Sequence, residues 1–194
     1  MRYLKRIITK YISSLIEPQI KILPEEKGKI GKDVRVGTTS FLNFSKLLIE
    51  KNVYIGHYNY IDASQGVTIK EGVQITNYVS ILNHSSHDAI RLYGAAYRQT
   101  EKPDHYYNGD IYIGEYTFIG PYTTVMPGSS IGKSSIIHGN SFVKGKFPDY
   151  SIISGNPATI IGSTQKRDLD LLNGADPYTM YPHYCGNTPP KNTK

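Results

Sequence analysis

The chain has 194 residues, enough for one domain with a full core, and no shift of composition along it asks for two. Its 22 Lys plus Arg against 16 Asp plus Glu give a formal charge of +6 and favour anionic partners. The basic residues are scattered and no nucleic-acid motif is present, so nucleic acid is not the expected partner, and a phosphate-bearing cofactor fits the charge as well. A single cysteine, Cys185, excludes an internal disulfide, and no apolar run has the length of a membrane span. The N-terminus lacks a signal peptide's uninterrupted apolar core, so the expected location is the cytoplasm.

Residues 1–28 read as a helix and lead-in. Leu4, Ile7, Ile8, Tyr11, Ile12, Leu15 and Ile16 fall on one helical stripe, Arg2, Lys5, Arg6 and Lys10 lie away from it, and Pro18 ends it. The first expectation is a cap on an open end of a solenoid. The same pattern permits peripheral contact with a membrane surface. From 28 to 48 a period of six begins imperfectly, with Ile30-Gly31, Val36-Gly37, Leu42 and Leu48. Ile49, Ile55 and Ile61 restart it one residue out of step, and an insertion around Ser64-Gln65 moves it to Ile69, Ile75 and Ile81. The period then fails from 83 to 110, NHSSHDAIRLYGAAYRQTEKPDHYYNGD, a stretch too rich in Tyr, His and Arg for plain disorder and long enough to be functional.

Between 111 and 161 the period is strict. Ile113, Ile119, Val125, Ile131, Ile137 and Val143 keep one phase, which is neither a strand's alternation by two nor a helix's 3.6. Three short strands per triangular turn give one inward side chain per six residues, and stacked turns bury these in a continuous core. Thr117, Thr123, Ser129, Ser135 and Ser141, four residues after each aliphatic, suit a crowded inner corner. The glycines after Ile113, Ile119 and Ile131 are expected at corners that need unusual backbone angles. Phe147-Pro148-Asp149 is expected to end the coils and Ile160-Ile161 to lead out of them. A short helix over 165–173 and a loose tail complete residues 164–194.

The Ile-Gly-x-x-Thr/Ser-x repeats, Met126-Pro127-Gly128 and Ser154-Gly155-Asn156-Pro157-Ala158 together resemble the left-handed β-helix (hexapeptide-repeat) acyltransferases. Within that family the chain looks most like the sugar O-acetyltransferases of bacterial polysaccharide clusters. The resemblance covers roughly residues 29–163 and implies an all-β solenoid, a left-handed parallel β-helix with an inserted loop at 83–110. It also implies acetyl-CoA as co-substrate with no metal, a sugar or glycan acceptor in polysaccharide or lipopolysaccharide biosynthesis, and a homotrimer with active sites between subunits.

The chemistry needs a base that takes a hydroxyl proton near neutral pH, and His84-Ser85-Ser86-His87-Asp88 supplies two imidazoles. By resemblance the catalytic histidine follows the last aliphatic of a coil by five to seven residues. His87, six past Ile81, is therefore favoured over His84, three past it. Asp88 is the expected orienting partner through an imidazole Nδ1, with a turn-capping role as its alternative. Resemblance assigns Asp62 to sugar binding, Gly139 to close approach of the coenzyme A arm and Lys144 to a basic position beside it. The relatives' arginines fall here at Thr159 and Gly162, so Lys166 and Arg167 are the expected partners of the 3′-phosphate. The competing readings are an N-acetyltransferase acting on an amino sugar, a zinc hydrolase like the γ-class carbonic anhydrases, and a non-catalytic scaffold.

Overall fold

A computed structural model describes residues 18–186 and, in isolation, Ile7. The expected N-terminal helix therefore lies almost wholly outside the described residues. From Ile30 onward the chain winds round three faces of short strands, and each face is a sheet whose neighbours come from successive coils. The first face stacks Arg35–Gly37, Tyr54–Ile55, Gln74–Ile75, Phe118–Ile119, Ile136–Ile137 and Ser151–Gly155, all parallel. The second stacks Phe41–Leu42, Tyr60–Ile61, Ser80–Ile81, Thr124–Val125 and Phe142–Val143. Leu47–Ile49, Val67–Ile69, Ile111–Ile113, Ser130–Ile131 and Lys146–Phe147 form the third. The architecture is a parallel β-helix.

The six-residue period follows from this winding. Ile119 sits in register between Ile75 and Ile137, Ile131 beside Ile113, and Val125 between Ile81 and Val143, and none of the eight is exposed. Each such side chain contributes roughly 1.5–3 kcal/mol of burial, and the coil offers it no other apolar neighbours than those above, below and across the core. The small residues fill the inner corners as expected. Thr117 Oγ1 donates to Gly132 O at 2.9 Å and Ser141 Oγ to His138 O at 2.6 Å, so these hydroxyls satisfy carbonyls that the turning backbone leaves unpaired.

Three expectations change. Leu48 points outward, and Leu47 and Ile49 carry the core instead, because the strand places alternate residues on opposite faces. The coil does not end at Phe147-Pro148-Asp149: Ser151–Gly155 adds one more strand, and Ala158–Ser163, which holds Ile160 and Ile161, pairs back on it antiparallel. The third concerns glycine. No glycine directly after a core aliphatic has a positive φ; the left-handed positions are instead Tyr58, Tyr78, Tyr116, Tyr122, Ser134, Asn140 and Tyr150 among others. At Gly132 a Cβ would lie 2.3 Å from the backbone nitrogen of Asp149 on the next coil, so close approach of two backbones, not turn geometry, selects glycine there.

The tail up to residue 186 is docked. The helix Thr164–Leu171 is anchored by Thr164 Oγ1 on Ser134 O, Tyr184 donates to Asp168 Oδ2 at 2.6 Å, and Ser134 Oγ donates to Cys185 O. Burial, aided by that Asp168 carboxylate, pushes the Tyr184 phenol far above its usual pKa. Among the described residues no helix is long and apolar enough to cross a membrane.

Candidate functional site

The irregular segment leaves the coil at the edge between the second and third faces and returns to the same edge. Its ends are zipped into a short antiparallel ribbon, His84–Ser85 against Tyr107–Asn108, with His84 opposite Asn108 and Ser85 opposite Tyr107. Gly109 N donates to Asn83 O at 3.0 Å and closes the base. Beyond the ribbon the segment forms a helix at Ala89–Tyr93 and a 3-10 helix at Gly94–Gln99, so it is built rather than slack.

The same edge carries a column of residues, each following a second-face strand. Asp62 N donates to Ile81 O, Leu82 N to Val125 O and Met126 N to Val143 O, which stacks Asp62, Leu82, Met126 and Lys144 along the coil axis. Asp62 therefore lies one coil from the point where the chain turns out towards His84. Its Oδ2 sits 2.6 Å from His84 Nδ1, with the carboxylate buried and the imidazole side chain 45% exposed. Oδ1 accepts from Ser64 N at 2.9 Å and Asn43 Nδ2 at 3.3 Å. Burial alone would raise the Asp62 pKa, but the Ser64 hydrogen bonds and the facing His84 outweigh it and hold the carboxyl below its ordinary value. Tyr106 stacks on the other side of the imidazole, centroids 6.0 Å apart and planes 12° from parallel. The Nδ1 nitrogen is thus turned to a buried carboxylate.

His87 has different surroundings. Its Nδ1 lies 2.8 Å from Ser85 Oγ, its ring stacks on Tyr107 at 4.9 Å, and its side chain is 52% exposed. Asp88 does not meet an imidazole Nδ1 as expected. It accepts from Tyr107 Oη at 2.7 Å, pairs with Arg91 at 3.0 Å and stands 3.6 Å from His87 Nε2. Nor does its side chain cap the helix it precedes. The hydrogen bond from Tyr107, helped by His87 and Arg91, draws the Asp88 pKa down. Asp88 ties the helix to the ribbon through Arg91 and Tyr107.

The expected donor-side residues are spread over three edges of the coil. Lys144 is in the Asp62 column, and its ammonium lies 5.5 Å from the Tyr107 ring. Gly139 is on the edge between the first and second faces, where its missing side chain admits Pro121, whose carbonyl a Cβ would meet at 2.9 Å. Lys166 and Arg167 stand on the exposed helix anchored at Ser134, near the third edge, with no ion pair to either among the described residues. A single chain therefore unites His84, Asp62 and Tyr106, sets Lys144 beside the Tyr107 ring that stacks on His87, and leaves Gly139, Lys166 and Arg167 apart. His138 also belongs to the Gly139 edge, away from His84 and His87. Among the described residues no group of three or more His, Cys, Asp or Glu is placed to hold a metal ion.

Residues 110–145 match the family profile described as bacterial transferase hexapeptide (six repeats). The chain carries the bacterial hexapeptide repeat. The solved structures similar to this hexapeptide coil include a hexapeptide-repeat-containing acetyltransferase from Vibrio cholerae, at 22% identity and a TM-score of 0.61, covering 71% of this chain and 74% of that one. A galactoside acetyltransferase in complex with coenzyme A matches at 25% identity and a TM-score of 0.55, over 73% of this chain and 67% of that one. AntD, an N-acyltransferase from Bacillus cereus in complex with dTDP and 3-hydroxybutyryl-CoA, matches at 22% and 0.58, over 74% and 76%. No curated protein matches the sequence of the chain. The fold is the left-handed parallel β-helix of these proteins.

The buried carboxylate makes a prediction about acid stability. Because its folded pKa is lowered, Asp62 contributes stability above its unfolded value, and that contribution is lost as pH falls through the folded one. Urea unfolding should therefore show wild type more stable than Asp62→Asn at pH 7, with the gap narrowing below about pH 4. A gap that stays constant to pH 3 would mean that charge plays no part.

Proposed function

We propose that this protein is an acetyl-CoA-dependent sugar O-acetyltransferase of the cytoplasm, serving polysaccharide or lipopolysaccharide synthesis, with His84 as its general base. The observation that carries the reading is the His84–Asp62 pair at the root of a built insertion on a hexapeptide coil. Acetyl transfer to a hydroxyl has one demanding proton movement, and an imidazole held by a buried carboxylate through Nδ1 presents Nε2 to accept it. In this reading His84 Nε2 takes the acceptor's proton as its oxygen attacks the thioester carbonyl. The carbon–sulfur bond breaks, and His84 returns the proton to the coenzyme A sulfur, leaving a sugar ester and free coenzyme A. Asp62 holds the imidazole in one tautomer and balances its charge while the proton is on the ring. His87 and Asp88 become supports of the ribbon.

Coenzyme A fits the cations present, because Lys144 has no carboxylate partner among the described residues and lies over Tyr107 on the ribbon that carries His84. Gly139, Lys166 and Arg167 lie on other edges of the same chain. A homotrimer in which one subunit's His84 edge faces a neighbour's donor edge would unite them, and the active site is proposed to lie between subunits. The relatives in complex with coenzyme A or an acyl-CoA support acyl transfer as the reaction class. Thiol release from acetyl-CoA, followed across hexoses, amino sugars and nucleotide sugars, tests the reading. Acceptor-dependent release with an alkali-labile product identifies an ester; an alkali-stable product would move the reaction to the nitrogen of an amino sugar, a transfer to nitrogen as in the N-acyltransferase AntD. Absence of thiol release with every acceptor in the panel, together with absence of coenzyme A binding, would leave only a scaffold.

A further inference from the structure

The insertion holds a cleft of about 640 Å³, within the size range of small-molecule sites, whose walls include Tyr97, Arg98, Glu101, Lys102, Tyr106 and Asn108. Two of these residues also belong to the histidine site. Tyr106 stacks on His84, and Asn108 is the residue opposite His84 in the ribbon. Cleft and imidazole thus share a wall one aromatic ring thick. Asp62 and Tyr97 are both near enough to the Tyr106 hydroxyl to add to the rise in its pKa that burial begins.

Arg98 and Lys102 are exposed on this cleft, and neither has a carboxylate within ion-pair distance among the described residues. Glu101, between them in the lining, pairs with neither. The nearby Asp104 is engaged elsewhere, accepting from Tyr93 Oη through Oδ2 at 3.3 Å while its own N–H donates to that hydroxyl at 3.0 Å. Thr100 Oγ1 donates to Ala96 O and Thr100 N to Tyr97 O, which ties the segment carrying both cations into a closed turn. A slightly larger cleft, about 670 Å³, opens at the N-terminal end of the coil. There Lys29, Lys51 and Lys70 are already paired with Glu26, Glu71 and Glu50, Lys27 and Lys32 have no such partner among the described residues, and no residue of the histidine site reaches it.

We propose that this cleft is an acceptor subsite for an anionic group, carboxylate or phosphate, held by Arg98 and Lys102 while Tyr106 guides the acceptor's hydroxyl towards His84. The proposal rests on the acetyl-transfer reading of that histidine and narrows it: the acceptor is an acidic or phosphate-linked sugar, not a neutral one. A guanidinium beside an ammonium suits a group with several oxygens, since the first can bind two at once and the second adds charge from a flexible stem. Tyr97 and Tyr106 supply aromatic surface for the ring that carries the group.

The test pairs each acceptor with its charged form. Glucose, glucose 1-phosphate, glucuronate and a uridine diphosphate sugar are titrated calorimetrically into the full chain without acetyl-CoA, and the same compounds are then used in thiol release. At least one charged form is expected to bind ten- to a hundredfold more tightly than glucose. Arg98→Ala with Lys102→Ala should remove that preference through Kd and KM, Arg98→Lys should restore part of it, and Lys21→Ala, remote from the cleft, should change nothing. Preference for glucuronate over the phosphates would identify a carboxylate as the natural group, and the reverse order a phosphate. Glucose bound as well as its charged forms, a preference unchanged in the double variant, or no binding by any compound overturns the proposal. Charged ligands bound through Arg98 and Lys102 but never acetylated would keep the cleft and sink the transferase. Acetylation of neutral sugars untouched by the double variant would do the opposite.

Discussion

His84→Ala is expected to lower kcat for acetyl transfer by about 10²- to 10⁴-fold, the range for a positioned general base, with coenzyme A affinity unchanged. The loss should fall on kcat, because the imidazole contributes when the proton moves and makes little of the ground-state contact. His87→Ala should lose less than about tenfold, since its ring is fixed to Ser85 and Tyr107 and no buried carboxylate faces it. Asp62→Asn is the informative third variant. It keeps the shape and the hydrogen-bonding reach of the side chain and removes the charge that balances a protonated ring, so kcat should fall by at least tenfold while KM stays close to wild type. If His87→Ala is the inactive variant and His84→Ala turns over normally, the base is on the ribbon's outer end and the Asp62 contact is structural.

Gly132→Ala should destabilise the coil by about 3 kcal/mol, the upper end of what overpacking costs, because the added carbon meets Asp149 N at 2.3 Å and Pro148 C at 2.4 Å. Both atoms are backbone and neither can step aside without displacing the next coil. Gly128→Ala provides the contrast. Its φ of 74° disfavours a side chain, yet a Cβ there meets nothing within 4 Å, so the cost should be about 1 kcal/mol, that of a left-handed alanine. Urea unfolding of the two variants separates the causes. Equal losses would mean that dihedral preference, and not the approach of one coil to the next, keeps glycine after the core aliphatic.

That pair also marks where reading by period reaches its limit. An isoleucine every six residues reports how often the chain returns to the core, and the hydroxyl four residues later reports a cramped inner corner. Both are local facts repeated at fixed spacing, so they survive in one dimension. Why the glycine follows is a fact about the neighbouring coil. Tyr58, Tyr78 and Tyr122 make the same point, since they hold the left-handed positions at φ of 57°, 59° and 59°, a place where glycine or asparagine is the usual expectation. Their rings stack at 5.0 and 4.9 Å, with planes 11° and 2° from parallel, and aromatic contact between coils offsets a strain that local preference alone would forbid.

The solenoid, the place where it is interrupted and the histidines at the interruption are all legible in one dimension, because apolar periodicity and its failure are written along the chain. Which histidine meets a buried carboxylate is set by the winding of the chain in three dimensions. Asp62 is 22 residues before His84, and nothing in the spacing of His84, His87 and Asp88 points to it. One coil of the helix brings Asp62 back beside Ile81 and lets the chain turn out within reach of its carboxylate. Asp88, adjacent to His87 in sequence, is drawn instead to Tyr107 from the far end of the insertion. The tail was decided the same way: its Pro and Gly content favours a loose end, but a hydroxyl on Ser134 and a carboxylate on Asp168 give Cys185 and Tyr184 partners. Winding sets the distance between residues in this protein, and a one-dimensional reading sees the winding's period without the contacts made across it.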